Sequence, residues 1–214
     1  MAENVDVAQA PEDSVLDRIP MRDEAGQLRH EFVEEIARAI HAADRPMLCE
    51  AVAELHEADL GDLIEALEPD DRVTLVELTG TDFDFSALNE VDDSVREEIL
   101  EELEPETVAE GVRELESDDA VELLEGLDEE DKEEILDKLP PAEREPLERS
   151  LLYPENSAGR RMQSEFIAVP PDWTVGQAID YMRDTPDLPD RFYEIYAVDA
   201  ARHWQGAISL DTLL

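Results

Sequence analysis

Three carboxylates crowd into one short stretch, Ser117-Asp118-Asp119-Ala120-Val121-Glu122, and their spacing allows two kinds of chemistry. On a helix, Asp118 and Glu122 are four apart and share a face, where two like charges cost about 0.2–0.5 kcal/mol. A divalent cation removes that repulsion, and magnesium is satisfied by one or two carboxylates with retained waters. The other reading is helix capping: Ser117 and Asp118 at a positive helix end satisfy orphan N–H groups with no metal. Asp119 is compatible with both. Residue type and spacing alone leave the two readings open.

The stretch sits inside a repeat. Apolar anchors recur every twelve positions at Leu55, Leu67, Val91, Leu103, Leu115, Leu127, Leu139 and Leu151, with Thr79 in step. Apolar pairs such as Leu63-Ile64, Leu75-Val76, Ile99-Leu100, Leu123-Leu124 and Ile135-Leu136 keep the same period. A pair followed by an anchor three or four residues later is one face of a helix. Between each anchor and the next pair lie Pro, Asp, Ser and Glu, which are helix-start residues. The period therefore predicts helices of roughly eight or nine residues joined by tight turns, none stable alone. Stacked, they form an α-solenoid with mostly nearest-neighbour contacts, and Gly80-Thr81-Asp82-Phe83 marks its one longer turn. Ahead of it, Leu28, Phe32, Ile36 and Ile40 predict a helix from about Asp23, ended by Asp44-Arg45-Pro46, and a second from Pro46 to His56. Residues 1–22 read as a loosely attached leader, without the basic start or apolar core of a signal peptide.

The formal charge is −42. A surface of this sign repels phosphates and anionic membranes and attracts cations or basic partners, so nucleic-acid binding is excluded. Acidity of this kind also fits a purely solvating surface. No apolar run approaches the roughly twenty residues of a membrane helix, and the single cysteine, Cys49, reads as a small buried hydrophobe in a reducing compartment. These features describe a cytoplasmic chain with no insertion of its own into the membrane. His30, His41, His56 and His203 lack zinc-ligand spacing. No Gly-rich phosphate loop, nucleophile elbow or His-centred triad is present, so the chain is not read as an enzyme.

Composition changes near Tyr153, with eight of the eleven aromatic residues from there onward. Phe166 to Val169 reads as a strand, Thr174 caps a helix to about Met182, and Tyr193–Val198 and Trp204–Ser209 are strands before a helix from Leu210. Tyr193, Tyr196 and Trp204 are expected in the sheet core.

The twelve-residue acidic repeats, the junction Leu152-Tyr153-Pro154-Glu155-Asn156-Ser157-Ala158-Gly159-Arg160-Arg161-Met162, and the later Val169-Pro170, Thr174-Val175-Gly176-Gln177-Ala178, Ile195-Tyr196-Ala197-Val198-Asp199 and Gly206-Ala207-Ile208-Ser209-Leu210 resemble the MgtE family of magnesium channels and transporters. The repeats alone also resemble the middle domain of the flagellar switch protein FliG.

The resemblance implies a mainly α chain: a flexible leader (1–22), a right-handed α-superhelix of short helices (23–152), a linker (153–161), and a small α/β CBS motif (162–214), the first of a pair. It implies partners beyond residue 214, namely a second CBS motif, a plug helix and a membrane pore that dimerises, with the chain on the inner face of the plasma membrane. It implies weakly bound regulatory Mg²⁺, with Asp118 as ligand and Glu122 and Asp119 as lesser contributors. Where the family has a second carboxylate, on the helix of Ser86-Ala87-Leu88, this chain has Ser86, leaving Asp84 and Glu90 as nearby acids. Strong adenine-nucleotide binding is not expected, because Asp211 falls two residues after Ser209 instead of three.

The function expected is a cytosolic Mg²⁺-sensing region that gates a transporter pore by divalent-dependent domain closure. The alternative is an acidic scaffold that binds a basic protein. A lone CBS motif would leave exposed the face that packs on its twin.

Overall fold

The computed structural model describes residues 20–185, 188–189 and 192–213. Its helices are short because each apolar anchor ends one. Leu67, Leu103, Leu115 and Leu139 follow α3 (Glu57–Ala66), α5 (Asp93–Glu102), α6 (Pro105–Glu114) and α8 (Glu129–Lys138) with extended backbone, ψ between 144° and 155°. The next residue is also extended in several units, and Pro69 or Pro105 then opens the following helix where its missing N–H does no harm. The anchor side chain still packs inward: Leu67, Leu103, Leu127 and Leu139 are buried. One apolar residue thus closes a helix and pins the turn to the core.

The remaining helices of this body are α1 (His30–His41), α2 (Arg45–Ala53), α4 (Pro69–Thr79), α7 (Ser117–Glu125) and α9 (Pro141–Leu151). One continuous cluster, from Met21 through Leu60, Leu88 and Leu123 to Leu147, fills their interior. The main stacking contacts skip an element, pairing α2 with α4, α6 with α8 and α7 with α9. This departs from the nearest-neighbour expectation: an extended two-residue turn sends successive helices to different layers, so alternate ones meet.

The expected irregular unit is two 3-10 helices, Gly80–Asp82 and Phe85–Asn89. Gly80 has φ +58°, which favours glycine. Asp84 accepts from the Ser86 amide at 3.0 Å, a local side-chain bond that competes with α-helix. Ala87 and Leu88 are nonetheless fully buried, so the repeat's apolar pair survives the change of helix type.

Three boundaries differ from the sequence reading. The first helix starts at His30, because Asp23 and Gly26 (φ +79°) form a turn that pairs Arg22 with Leu28. The second spans Arg45–Ala53. The leader reading falls on residues 1–19, which lie outside the described residues, whereas Met21 is buried and Arg22 ion-pairs with Asp59 and Asp62 of α3.

Residues 167–213 form a small α/β unit: β1 (Ile167–Val169), α10 (Val175–Asp184), β2 (Glu194–Val198), β3 (Trp204–Ser209) and α11 (Leu210–Leu213). The sheet order is β1-β2-β3, with β1 and β2 parallel and β2 and β3 antiparallel. A parallel pair needs a crossover, supplied by α10, which opens with a capping box of Thr174 and Gln177. Its core is Ile167, Val169, Ala178, Ile195 and Leu213. The aromatic expectation fails here: Tyr193, just ahead of β2, is 82% exposed, and Trp204, which opens β3 opposite Val198, is 68% exposed.

Among the described residues, no helix is long and apolar enough to cross a membrane.

Candidate functional site

The acidic stretch begins α7. Ser117 is its first residue and Glu116 precedes it with extended backbone and no side-chain cap. One oxygen from each of Glu116, Asp118 and Asp119 lies within 4.8 Å of the other two. Asp118 Oδ1 is buried and has no hydrogen-bond partner among the described residues. Asp119 is pushed up to about 6, first by burial and then by the charges of Asp118, Glu116, Glu122 and Glu57. The group is a set of acceptors that repel one another, and one buried oxygen among them has no hydrogen-bond partner among the described residues. Such a set suits a small hard cation, which would supply the missing positive charge.

The sequence-stretch residues are not all equivalent. Asp118 and Asp119 join the cluster, and Glu116, not considered from sequence, joins them. Glu122 lies outside it: its carboxylate is held by Arg161 at 3.2 Å. Glu57, at the start of α3, was also missed. Its Oε2 accepts from Ser86 Oγ at 3.2 Å, and its charge reaches Asp119. Glu57, on a different helix, thus places a carboxylate beside Ser86, while Asp84 caps the 3-10 turn. Asn89 ties that turn to α7 by donating to the Asp119 carbonyl at 3.1 Å.

The capping reading is corrected in its detail. Neither Ser117 nor Asp118 caps α7 from its own side chain. Glu165, in the segment just before β1, accepts from the Ser117 amide at 3.2 Å and from its hydroxyl at 2.7 Å, and the Ser164 amide donates to Ser117 Oγ at 2.8 Å. At the other end of α7, Arg160 is buried, pairs with Glu125 at 3.3 Å and donates to the carbonyls of Ser150 and Leu151. Residues 160–165 therefore run along α7 as a strap, from its C-terminal end back to its N-terminus.

Cys49 is half-buried, and burial pushes its thiol up, away from nucleophilic reactivity. His41 pairs with Asp71 at 2.9 Å, and His56 accepts weakly from the Ala58 amide at 3.4 Å; both act as helix-linking or capping groups.

A second concavity, a cleft of about 930 Å³, lies on the exposed side of the sheet. Phe166, Tyr196 and Trp204 line it beside Asp199 and Arg202, the last with φ +63°. Phe166 and Tyr196 meet edge to face at 5.9 Å.

The chain is thus an acidic stack of short helices strapped to a small α/β unit. Residues 55–156 match the family of the MgtE intracellular N domain. A curated relative, the magnesium transporter MgtE of Enterococcus faecalis (strain ATCC 700802 / V583), is 31% identical over 68 residues, which are 32% of this chain and 15% of that protein. The chain thus aligns with a small part of that relative's length. Two solved structures share the fold. The soluble part of a magnesium transporter matches with TM-score 0.68 at 25% identity, covering 85% of this chain and 72% of that one. The cytosolic domain of the Mg²⁺ channel MgtE in complex with ATP matches with TM-score 0.73 at 27% identity, covering 85% and 74%.

Proposed function

We propose that this chain is the Mg²⁺-sensing regulatory region of an MgtE-type magnesium transporter, in which divalent binding favours a compact arrangement of the superhelix and the α/β unit, a CBS motif in this reading. The observation that carries the proposal is the carboxylate cluster of Glu116, Asp118 and Asp119 with its unpartnered buried oxygen. Asp118 and Asp119 would hold the ion, with Glu116 beside them. A bound Mg²⁺ supplies the positive charge that lets these carboxylates approach one another and acidic surfaces on other domains. Low Mg²⁺ leaves the repulsion unscreened and favours separation. The response is a population shift bounded by the ion's differential affinity for the two states. The pore, its plug and a dimeric partner belong to the same proposal and rest on the resemblance to the MgtE family.

The experiment is small-angle scattering at constant ionic strength, with millimolar Mg²⁺ against matched Na⁺. Compaction beyond the Na⁺ control supports divalent-coupled closure. A scattering profile unchanged by Mg²⁺ favours the alternative of an acidic scaffold for a basic protein.

A specific observation favours one further ligand. The cleft beside Phe166, Tyr196 and Trp204 offers aromatic faces for a base, Asp199 for a hydroxyl and Arg202 for a phosphate. An adenine nucleotide fits that chemistry, contrary to the expectation from the position of Asp211. Thermal stabilisation by ATP, lost in Trp204→Ala, is the corresponding test.

A further inference from the structure

The strap places Arg161 beside the acidic face of α7, where it makes two contacts: Nη1 to Glu122 at 3.2 Å and Nη2 to Glu125 at 2.9 Å. Glu122 sits close enough to Asp119 to raise its pKa, yet it stands outside the carboxylate cluster. A guanidinium and a divalent ion both draw on the charge of one carboxylate, and Glu122 Oε2 already faces Arg161. We propose that Arg161 is a tethered counter-cation that competes with a divalent ion for Glu122.

In the arrangement described, Arg161 neutralises Glu122 and Glu125, and the ion-binding set is Glu116, Asp118 and Asp119. Recruiting Glu122 to the ion leaves Arg161 with Glu125 alone. The strap then keeps Arg160 at its C-terminal anchorage on α7 and Glu165 at the N-terminal one, but loses one of its two Arg161 contacts. Because the strap ends one residue before Phe166 and two before β1, exchange of Arg161 for a metal ion at Glu122 is transmitted to the start of the α/β unit. This inference rests on the cation reading of α7 given above and adds the competitor that sets its affinity.

The pair is half-exposed, with Glu122 at 44% and Arg161 at 51% side-chain exposure. The effect of removing it is therefore modest, roughly two- to fivefold in affinity. Loss of any positive charge would raise divalent affinity slightly by long-range attraction, so the control is Arg144→Gln, which removes an arginine paired instead with Asp137 and Glu148.

The experiment titrates Mg²⁺ into the whole chain by calorimetry at fixed ionic strength, comparing wild type, Arg161→Gln, Arg144→Gln, Glu122→Gln and the Arg161→Gln/Glu122→Gln double variant. Amide exchange over residues 160–166 is followed in parallel with and without Mg²⁺. The expected result is two- to fivefold tighter binding for Arg161→Gln alone, no such gain in the Glu122→Gln background, and faster exchange of the strap in wild type when Mg²⁺ is present. A gain no larger than that of Arg144→Gln, a gain that persists with Glu122→Gln, or a strap whose exchange is indifferent to Mg²⁺ overturns the competition while leaving the cation reading standing. Absence of Mg²⁺ binding in both wild type and Arg161→Gln overturns the cation reading and this inference together.

Discussion

Glu165 caps the helix that Ser117 begins, taking both the amide and the hydroxyl of that serine across 48 positions of sequence. A carboxylate at a helix N-terminus is favourable to the dipole and satisfies an orphan N–H. Here it also fixes the segment entering β1 against the residue that precedes Asp118. The acidic cluster and the α/β unit are mechanically neighbours for that reason.

Replacing Glu165 with alanine removes the cap and leaves the Ser117 amide unpartnered. The expected loss is about 1 kcal/mol in unfolding free energy, with faster amide exchange at residues 162–166. Glu165→Gln keeps an acceptor and should lose less. Chemical denaturation and hydrogen exchange check both, and equal losses for the two variants would show that charge, not the bond, is the main contribution.

Asp119 imposes a pH dependence of defined sign. Its carboxyl is raised to about 6 in the fold, from an ordinary 3.8, so the native state binds a proton more tightly than the unfolded chain. Stability is therefore lost as pH rises from about 4 to 6 and the group must ionise in place. With solvent screening the amount is on the order of 1 kcal/mol. Asp119→Asn should flatten that part of the curve of unfolding free energy against pH, measured without divalent ions.

Gly111 is required by packing. A methyl group there would lie 2.3 Å from the ring of Phe85, itself buried. Gly111→Ala should destabilise by roughly 1–3 kcal/mol through overpacking, read as a lower denaturant midpoint at unchanged slope.

The net charge of −42 makes the fold sensitive to ions in general. Raising NaCl from 0.05 to 1 M should increase the melting temperature as repulsion between carboxylates is screened. Mg²⁺ at matched ionic strength should add a further increase that wild type shows and an Asp118→Asn/Asp119→Asn variant lacks.

These features were unequally visible in the sequence. The helical stack could be read because Leu63-Ile64, Leu123-Leu124 and their counterparts recur at a fixed period, and burial enforces that period. The 3-10 character at Phe85–Asn89 hid behind the same apolar spacing, since Ala87 and Leu88 are buried in either helix type. Asp118 and Asp119 stood out by composition. Glu57, Glu165 and Arg161 did not, because an acid or arginine in so charged a chain carries no local signal, and their roles come from approach between distant segments. The exposure of Trp204 was missed for a related reason: an aromatic strand residue reads as core whether or not a second layer exists to cover it.

The divalent-cation site proposed on α7 is centred on Asp118. Calorimetric titration of Mg²⁺ into the chain at pH 7 and constant ionic strength, with wild type and Asp118→Asn side by side, tests it most directly. Wild type should bind weakly and saturably, and Asp118→Asn at least tenfold less tightly. Equal binding isotherms for the two chains would contradict it.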